Sequence, residues 1–573
     1  DYLPKEDRTP FIKELVMKKP IDGLIKAKNY INHIAEDERV SLLNNLAMKN
    51  PESALLFAKY YIDSIPEKDG RDLLERAAKE RIASLNGMRE EDLEHTKKYL
   101  NPETIDNLIK TYEKKTNALY VGSELNRNHD LPTEQRFAPI KNYDSKQLYE
   151  LLTFGRQEMF TSTYLHVFDR LEGKLNKEGK NVYDIADPKY SMAITVFLES
   201  ASTYNRLDKA VHLIPKEKWG DILTKFGDKI NDGNMAHVVA LAEVMKAMPD
   251  KDIKQQMEKF VQEKFNIAPE GSVRDSYGVL ASHYNKIADG KKVKIDNPDN
   301  YKIPVLEGIS NKELLGNDGI YRQLLVFSDD KDGKNSYDNF IMQYSKNKNK
   351  YQIEDKGDFI KITPIGTDTK TKMEIYANKP DRSPDSIIRS IGGDFGTVES
   401  IEFDNVTHRG HGSNLDNTMP YFSSNNALIF LGSGGSYGNI EKLLKIAPQT
   451  QIISTKEVGT MLVNDQLLFN MNESIRKGES LVWKDKQEYL DGLGGKHAEA
   501  YVLPHRNTAL LMQRKINELD DKRNESREKA ALIQGKLDIE TVALKQAGVI
   551  QTAHNVSAYN NVPAILSNNQ LGT

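Results

Sequence analysis

The sequence predicts an α plus α/β protein: an N-terminal α-helical, solenoid-like repeat region, an α/β domain with a mostly parallel sheet, and C-terminal helices. Three observations carry this expectation. Apolar residues recur at helical spacing within an internal repeat over the first 120 residues. The composition turns from helix-like to strand-like after Ile267. Two apolar strand patterns end in glycine-rich turns, one around Gly410-His411-Gly412 and one from Gly432 to Tyr437, as strands of an α/β sheet do at their carboxyl ends.

The repeat is read from two segments. Met17 to Ile31 aligns with Met48 to Ile62 at a period of 31 residues, with Met, Lys, Pro, Leu, Ala, Lys, Tyr and Ile in register. Pro20 and Pro51 stand where proline is tolerated, in the first turn of a helix. A second helix follows each copy, and helix pairs at such a period bury each other's apolar faces as a solenoid. Residues 1–120 are therefore assigned to helical repeats, a surface suited to a partner protein. Residues 121–145 are polar and proline-broken and read as a loop, and 145–265 as a second helical region. His237 sits among apolar residues there and reads as a packed histidine rather than a ligand.

Residues 300–500 carry the α/β pattern. Tyr321 to Phe327 is a strand, and a helix follows it near Tyr337 to Tyr344. Asp329, Asp330 and Asp332 between them lack the spacing and terminal Glu of a calcium loop and read as a helix-capping turn. Phe359 to Ile365 and Lys372 to Ala377 alternate as paired strands. Ser383-Pro384 reads as N-cap and first position of a helix. Val398 to Phe403 is expected to deliver the histidine turn, Ala427 to Leu431 the second turn. The helix Ile440–Ile446, the strand Gln451–Thr455 and a helix over 466–475 complete the domain. Trp483 is a candidate pocket wall or core residue. Residues 505–573 form a C-terminal helical extension, with one long polar helix from Gln513 to Lys536.

Composition narrows the function. Lys+Arg 80 against Asp+Glu 84 gives no basic field for nucleic acid, and no apolar run approaches the length of a transmembrane segment. Cysteine is absent, which excludes disulfides, thiolate metal sites and a cysteine nucleophile. The start, Asp1-Tyr-Leu-Pro-Lys, reads as processed, and a cysteine-free chain suits a secreted, periplasmic or cell-surface protein without excluding a cytoplasmic one. No cofactor or metal is expected.

His411, flanked by Gly410 and Gly412, is the leading candidate for general acid/base work. Glycines let backbone approach a substrate, and an N–H at such a turn can donate to an oxyanion. His408 is the alternative, and a plain surface turn the structural explanation. The loop from Gly432 to Tyr437 offers backbone N–H groups to an anion. It is neither a Walker A loop nor a full dinucleotide fingerprint, since Tyr437 stands at the third glycine position.

Together, Ser400 to Phe403 leading to Gly410-His411-Gly412-Ser413, and Ala427 to Leu431 leading to Gly432-Ser433-Gly434, resemble the caspase-like-fold cysteine peptidases of the gingipain, clostripain and separase clan. The resemblance covers roughly residues 300–500. It implies a His/Cys dyad acting on a protein or peptide, with His411 as acid/base and the nucleophile position at Gly434. It also implies oxyanion donors at Gly412 and Gly435, and a substrate pocket shaped by the segment holding Glu457 and Asp465. For Asp465 the alternative is a helix cap. Gly434 has no nucleophilic side chain. The chain then reads as an inactivated peptidase, as a pseudopeptidase that only binds, or as an enzyme using Ser433 or Ser436. A non-catalytic interaction scaffold and a phosphate- or nucleotide-binding domain using Gly432–Tyr437 are the readings from other classes.

Overall fold

In the computed structural model the described residues are 114, 117–156, 159–186, 193–231, 233–288, 292–391, 402–494 and 496–546. The 31-residue repeat lies outside them, as do residues 547–573. The chain divides into two compact units, 1–516 and 517–573. Among its described residues the second unit is helical, with the ion pairs Lys522–Glu518 and Arg523–Asp520.

The first described part is helical: α1 (Ser145–Phe154), α2 (Thr161–Glu178), α3 (Ala193–Thr203), α4 (Trp219–Asn231), α5 (Met235–Ala247), α6 (Lys251–Ile267) and α7 (Ser272–Ile287). Helical structure also covers 117–127, where the sequence predicts a loop from residue 121. Ala118, Val121 and Leu125 bury there at helical spacing, a short stripe easily hidden among polar neighbours. Helix α7 extends the helical region beyond the predicted end at residue 265, because Tyr277, Val279, Leu280 and Ala281 are all buried.

The α/β part is built on one eight-stranded sheet: β1 (Ile320–Phe327), β2 (Tyr351–Asp355), β3 (Phe359–Pro364), β4 (Lys372–Asn378), β5 (Asn405–Arg409), β6 (Leu428–Gly432), β7 (Gln451–Thr455) and β8 (Tyr501–Val502). The order is β8-β7-β6-β5-β1-β4-β3-β2. The five strands from β7 to β4 are parallel, and β8, β3 and β2 add antiparallel edges. The mixed α/β class and the mostly parallel sheet are as the sequence predicts. The central strands bury residues on both faces. Leu428 and Phe430 of β6 join the core that also holds Tyr321, Leu325 and Phe327. Ile429 and Leu431 join a second core on the other face with Leu324 and Val326. Helices α8 (Lys331–Ser345) and α10 (Met461–Arg476) cover the first face through Phe340, Leu467 and Met471. Helix α9 (Ile440–Ile446) covers the second through Ile440 and Leu443. Trp483 is fully buried in the first core and donates from Nε1 to Gln451 Oε1 at 2.6 Å.

Two local expectations are corrected. The strand that delivers His411 is Asn405–Arg409, not 398–403, of which only 402 and 403 are described. Its residues N-V-T-H-R are all buried although four are polar, so the strand carries no apolar pattern. The helix after Ser383 begins at Asp385, with Pro384 before it and Ser383 Oγ accepting from Asp385 N at 3.2 Å. Asp330 is the N-cap of α8, accepting from Gly333 N at 2.7 Å, in line with the capping reading of the aspartate cluster.

The strand order has a physical consequence. From the centre at β1 the chain moves to β4 on one side, then returns to β5 on the other. That reversal opens a crevice beyond the carboxyl ends of β1 and β5, where open α/β sheets bind ligands.

Candidate functional site

The crevice is assembled by backbone hydrogen bonds at the strand ends. Ser328 N donates to Arg409 O at 2.9 Å, continuing the β1–β5 ladder past Phe327. Gly410 follows at φ +142°, a conformation that only glycine adopts readily, and a Cβ there would press on Ser328. Asp330 then fixes the histidine turn. Its Oδ2 accepts from His411 N at 3.0 Å and from Asn414 Nδ2 at 2.7 Å.

The two turns predicted from sequence meet. A Cβ placed on Gly412 would lie 3.0 Å from the carbonyl oxygen of Gly434. His411, Gly412 and Gly434 all line one cavity of about 990 Å³. The His411 Nδ1 accepts from Ser413 N at 3.2 Å and lies 2.9 Å from Ser413 Oγ. Burial lowers its pKa, with Asp332 and Asp330 opposing, so the imidazole is held toward its neutral form, with Nδ1 engaged by the Ser413 N–H and the proton on Nε2. The Gly412 N–H has no acceptor among the described residues.

Other candidates are placed differently. His408 is fully buried: its Nδ1 pairs with Thr418 Oγ1 at 2.7 Å and its Nε2 faces His411 O at 3.4 Å, so it braces the turn from behind. The Gly435 N–H donates to Glu457 O at 3.0 Å and is not open as an oxyanion donor, contrary to the expectation. Ser436 Oγ donates to Leu431 O at 3.2 Å and accepts from Thr455 N at 3.0 Å, a structural role within the loop. Ser433 is buried and its Oγ has no partner among the described residues, but it is not among the cavity-lining residues.

Neither expected pocket acid faces the cavity. Glu457 Oε1 accepts from Asn205 Nδ2 at 2.9 Å and Arg206 Nη1 at 3.0 Å, pinning the helical region to the sheet. Asp465 lies inside α10, not at its start, so it is not the N-cap either. Its carboxylate is buried against Arg409, with Asn339 Nδ2 at 2.5 Å. Arg409 in turn donates from Nη1 to Gly432 O at 2.9 Å, which ties the end of β6 to β5.

The roof of the cavity comes from the helical region, which local sequence does not connect to the site. Met159, Phe160, Thr161, Ser162, Arg136 and His129 line it. The Phe160 ring lies on His411 with centroids 3.7 Å apart, and His129 follows at 6.0 Å. A Cβ on Gly434 would meet Val458 Cα at 3.3 Å and Thr161 Oγ1 at 3.4 Å. On Gly435, at φ +64°, it would collide with Thr161 Oγ1. The double glycine therefore accepts the end of α2. Gly435→Ala is expected to lower stability by more than about 1 kcal/mol, from the left-handed backbone and the clash together. Thr161→Ala in the same chain should restore the steric part, measured by urea midpoints.

Among the described residues no group of three or more His, Asp or Glu is arranged to hold a metal ion, and no helix is long and apolar enough to cross a membrane. Comparison with protein-family models, with curated proteins and with solved structures gave no match.

Proposed function

We propose that this chain is a cysteine-peptidase scaffold of the caspase-like type in a form without its nucleophile, holding a protein or peptide in the crevice rather than cleaving it. The supporting observation is the meeting of the His411–Gly412 turn with the Gly434 carbonyl at the point where the strand order reverses. In a complete dyad, the imidazole takes the thiol proton, the thiolate attacks the peptide carbonyl, and a backbone N–H such as that of Gly412 stabilises the oxyanion. Here His411 and the Gly412 N–H are the candidates for those roles and the attacking atom is missing, because the chain contains no cysteine. What remains favours binding of an extended polypeptide, with Phe160 over the histidine and Thr161 over the two glycines.

Gly434→Cys tests this. A thiol paired with His411 is expected to be alkylated by iodoacetamide well below the ordinary thiol range near about pH 8.5, as thiolates beside a histidine are. His411→Ala in the same chain should return the profile to that range. A thiol of ordinary reactivity at position 434, unmoved by His411→Ala in a folded chain, removes the dyad geometry and the reading with it.

A further inference from the structure

Helix α2 starts in the cavity roof with Phe160 as N-cap, whose own side chain makes no cap hydrogen bond, while Asn126 Oδ1 accepts from the Phe160 N–H at 2.9 Å. A helix of 18 residues has the length to present unpaired N–H groups and a partial positive charge at that end. An arginine also packs on it. Arg136 Nη2 donates to Ser162 Oγ at 3.0 Å and Thr163 Oγ1 at 2.6 Å, and Nε to Leu125 O at 3.1 Å. Arg136 is only 8% exposed, and no carboxylate among the described residues is within ion-pair distance of it. Its Nη1 has no acceptor there either.

This arrangement is unfavourable as it stands. A guanidinium does not discharge by losing its proton, so burial leaves the charge in place. Cations stabilise helix C-termini, and this one sits on an N-terminus. The Phe137 ring lies against the guanidinium, its centroid 5.0 Å from Arg136 Cζ, but it brings no negative charge. Arg127, Arg136, Arg156 and Arg409 line the cavity, against Asp332 as the one carboxylate among the lining residues. Arg156 is paired with Glu199 at 3.0 Å and Arg409 with Asp465, which leaves Arg136 as a buried charge without a counter-ion among the described residues.

The geometry points to an oxyanion site in the cavity roof, where a phosphate or carboxylate group is held between Arg136 Nη1 and the first backbone N–H groups of α2. One anion would satisfy the guanidinium and the helix end together, the combination that makes helix N-termini phosphate sites. The site needs only Arg136 and α2, so it stands independently of the peptidase-like reading. It also differs from the expected phosphate loop at Gly432–Tyr437, whose Gly435 N–H and Ser436 hydroxyl are already engaged within the protein.

Calorimetric titration of the full chain at low ionic strength, with inorganic phosphate and with glutarate as probes, tests the inference. Binding of phosphate alone assigns a phosphoryl group, of glutarate alone a carboxylate, and of both an unselective oxyanion site. Ser162→Asp is the decisive variant, since it places a carboxylate beside Arg136 in the first turn of α2. It is expected to raise the thermal midpoint of the free protein and to weaken probe binding about tenfold or more, as a charge-assisted bond to the guanidinium is lost to the new side chain. No binding of either probe overturns the site. So does a folded Ser162→Asp chain with unchanged probe affinity, or one that melts below the parent.

Discussion

Asp465→Asn should destabilise the protein by about 3–5 kcal/mol, the cost of leaving one member of a buried ion pair without its partner. Arg409 and Asp465 have side chains each 1% exposed. The asparagine keeps the shape of the aspartate but removes the charge that answers the guanidinium, which cannot neutralise itself. The reciprocal change should cost less. Burial pushes the Asp465 carboxyl above its ordinary range, against the pull of Arg409 and Asn339, so in Arg409→Met it can take up a proton and remain buried as a neutral acid. That variant should therefore lose stability as pH rises through the acid's new pKa, since the deprotonated carboxylate has no partner. Urea unfolding of the two single variants and the double Arg409→Met/Asp465→Leu measures this. Equal costs for the singles, or a double no better than Asp465→Asn, would contradict the argument.

Acid should unfold the protein through three histidines. His237, His283 and His408 are 4%, 8% and 0% exposed, and burial lowers each pKa to about 4. The neutral ring fits the fold, whereas the unfolded chain binds a proton near about pH 6.5. Between those values the unfolded state holds more protons, so stability rises with pH and is lost as pH falls from about 6.5 toward 4. Each histidine contributes roughly 3–4 kcal/mol over that window, at about 1.36 kcal/mol for every pH unit separating the folded and unfolded pKa. Glu243 acts in the same direction at lower pH. Burial opposes its charge, but Lys456 and Lys246 outweigh that and hold its pKa at about 2. Denaturation midpoints at pH 7.0, 5.5 and 4.5 should fall steadily, and His408→Gln should flatten the dependence by about a third, one ring of three being removed. A flat profile over that range would show that these rings are hydrated in solution.

The same residues show how far sequence reading reaches. Strands β1, β4, β6 and β7 are legible because they are apolar runs bounded by turn residues, and both glycine turns are found at strand ends. Strand β5 is misplaced by the sequence because Asn405, Thr407, His408 and Arg409 bury polar groups. Their partners, including Tyr321, Thr418 and Asp465, lie elsewhere along the chain. Asp465 reads as a pocket acid for the same reason: its sequence neighbourhood says nothing of Arg409. The cavity roof leaves a weaker trace. Residues 145–265 read only as a helical region, and nothing local says that a helix start within it lies over His411.

By itself, then, the sequence determined the α plus α/β composition, the mostly parallel sheet and the two turns at residues 410–412 and 432–437. These are set by periodicity and by glycine's freedom at tight turns, properties of a few consecutive residues. Tertiary structure alone decided which groups share the crevice. Strand order brings Gly412 against Gly434. Packing seats Phe160 on His411 and leaves Arg136 beside a helix end with no counter-ion among the described residues. Those outcomes depend on contacts between residues tens to hundreds of positions apart, and burial, not spacing, decides whether each charge there is neutralised or free to bind.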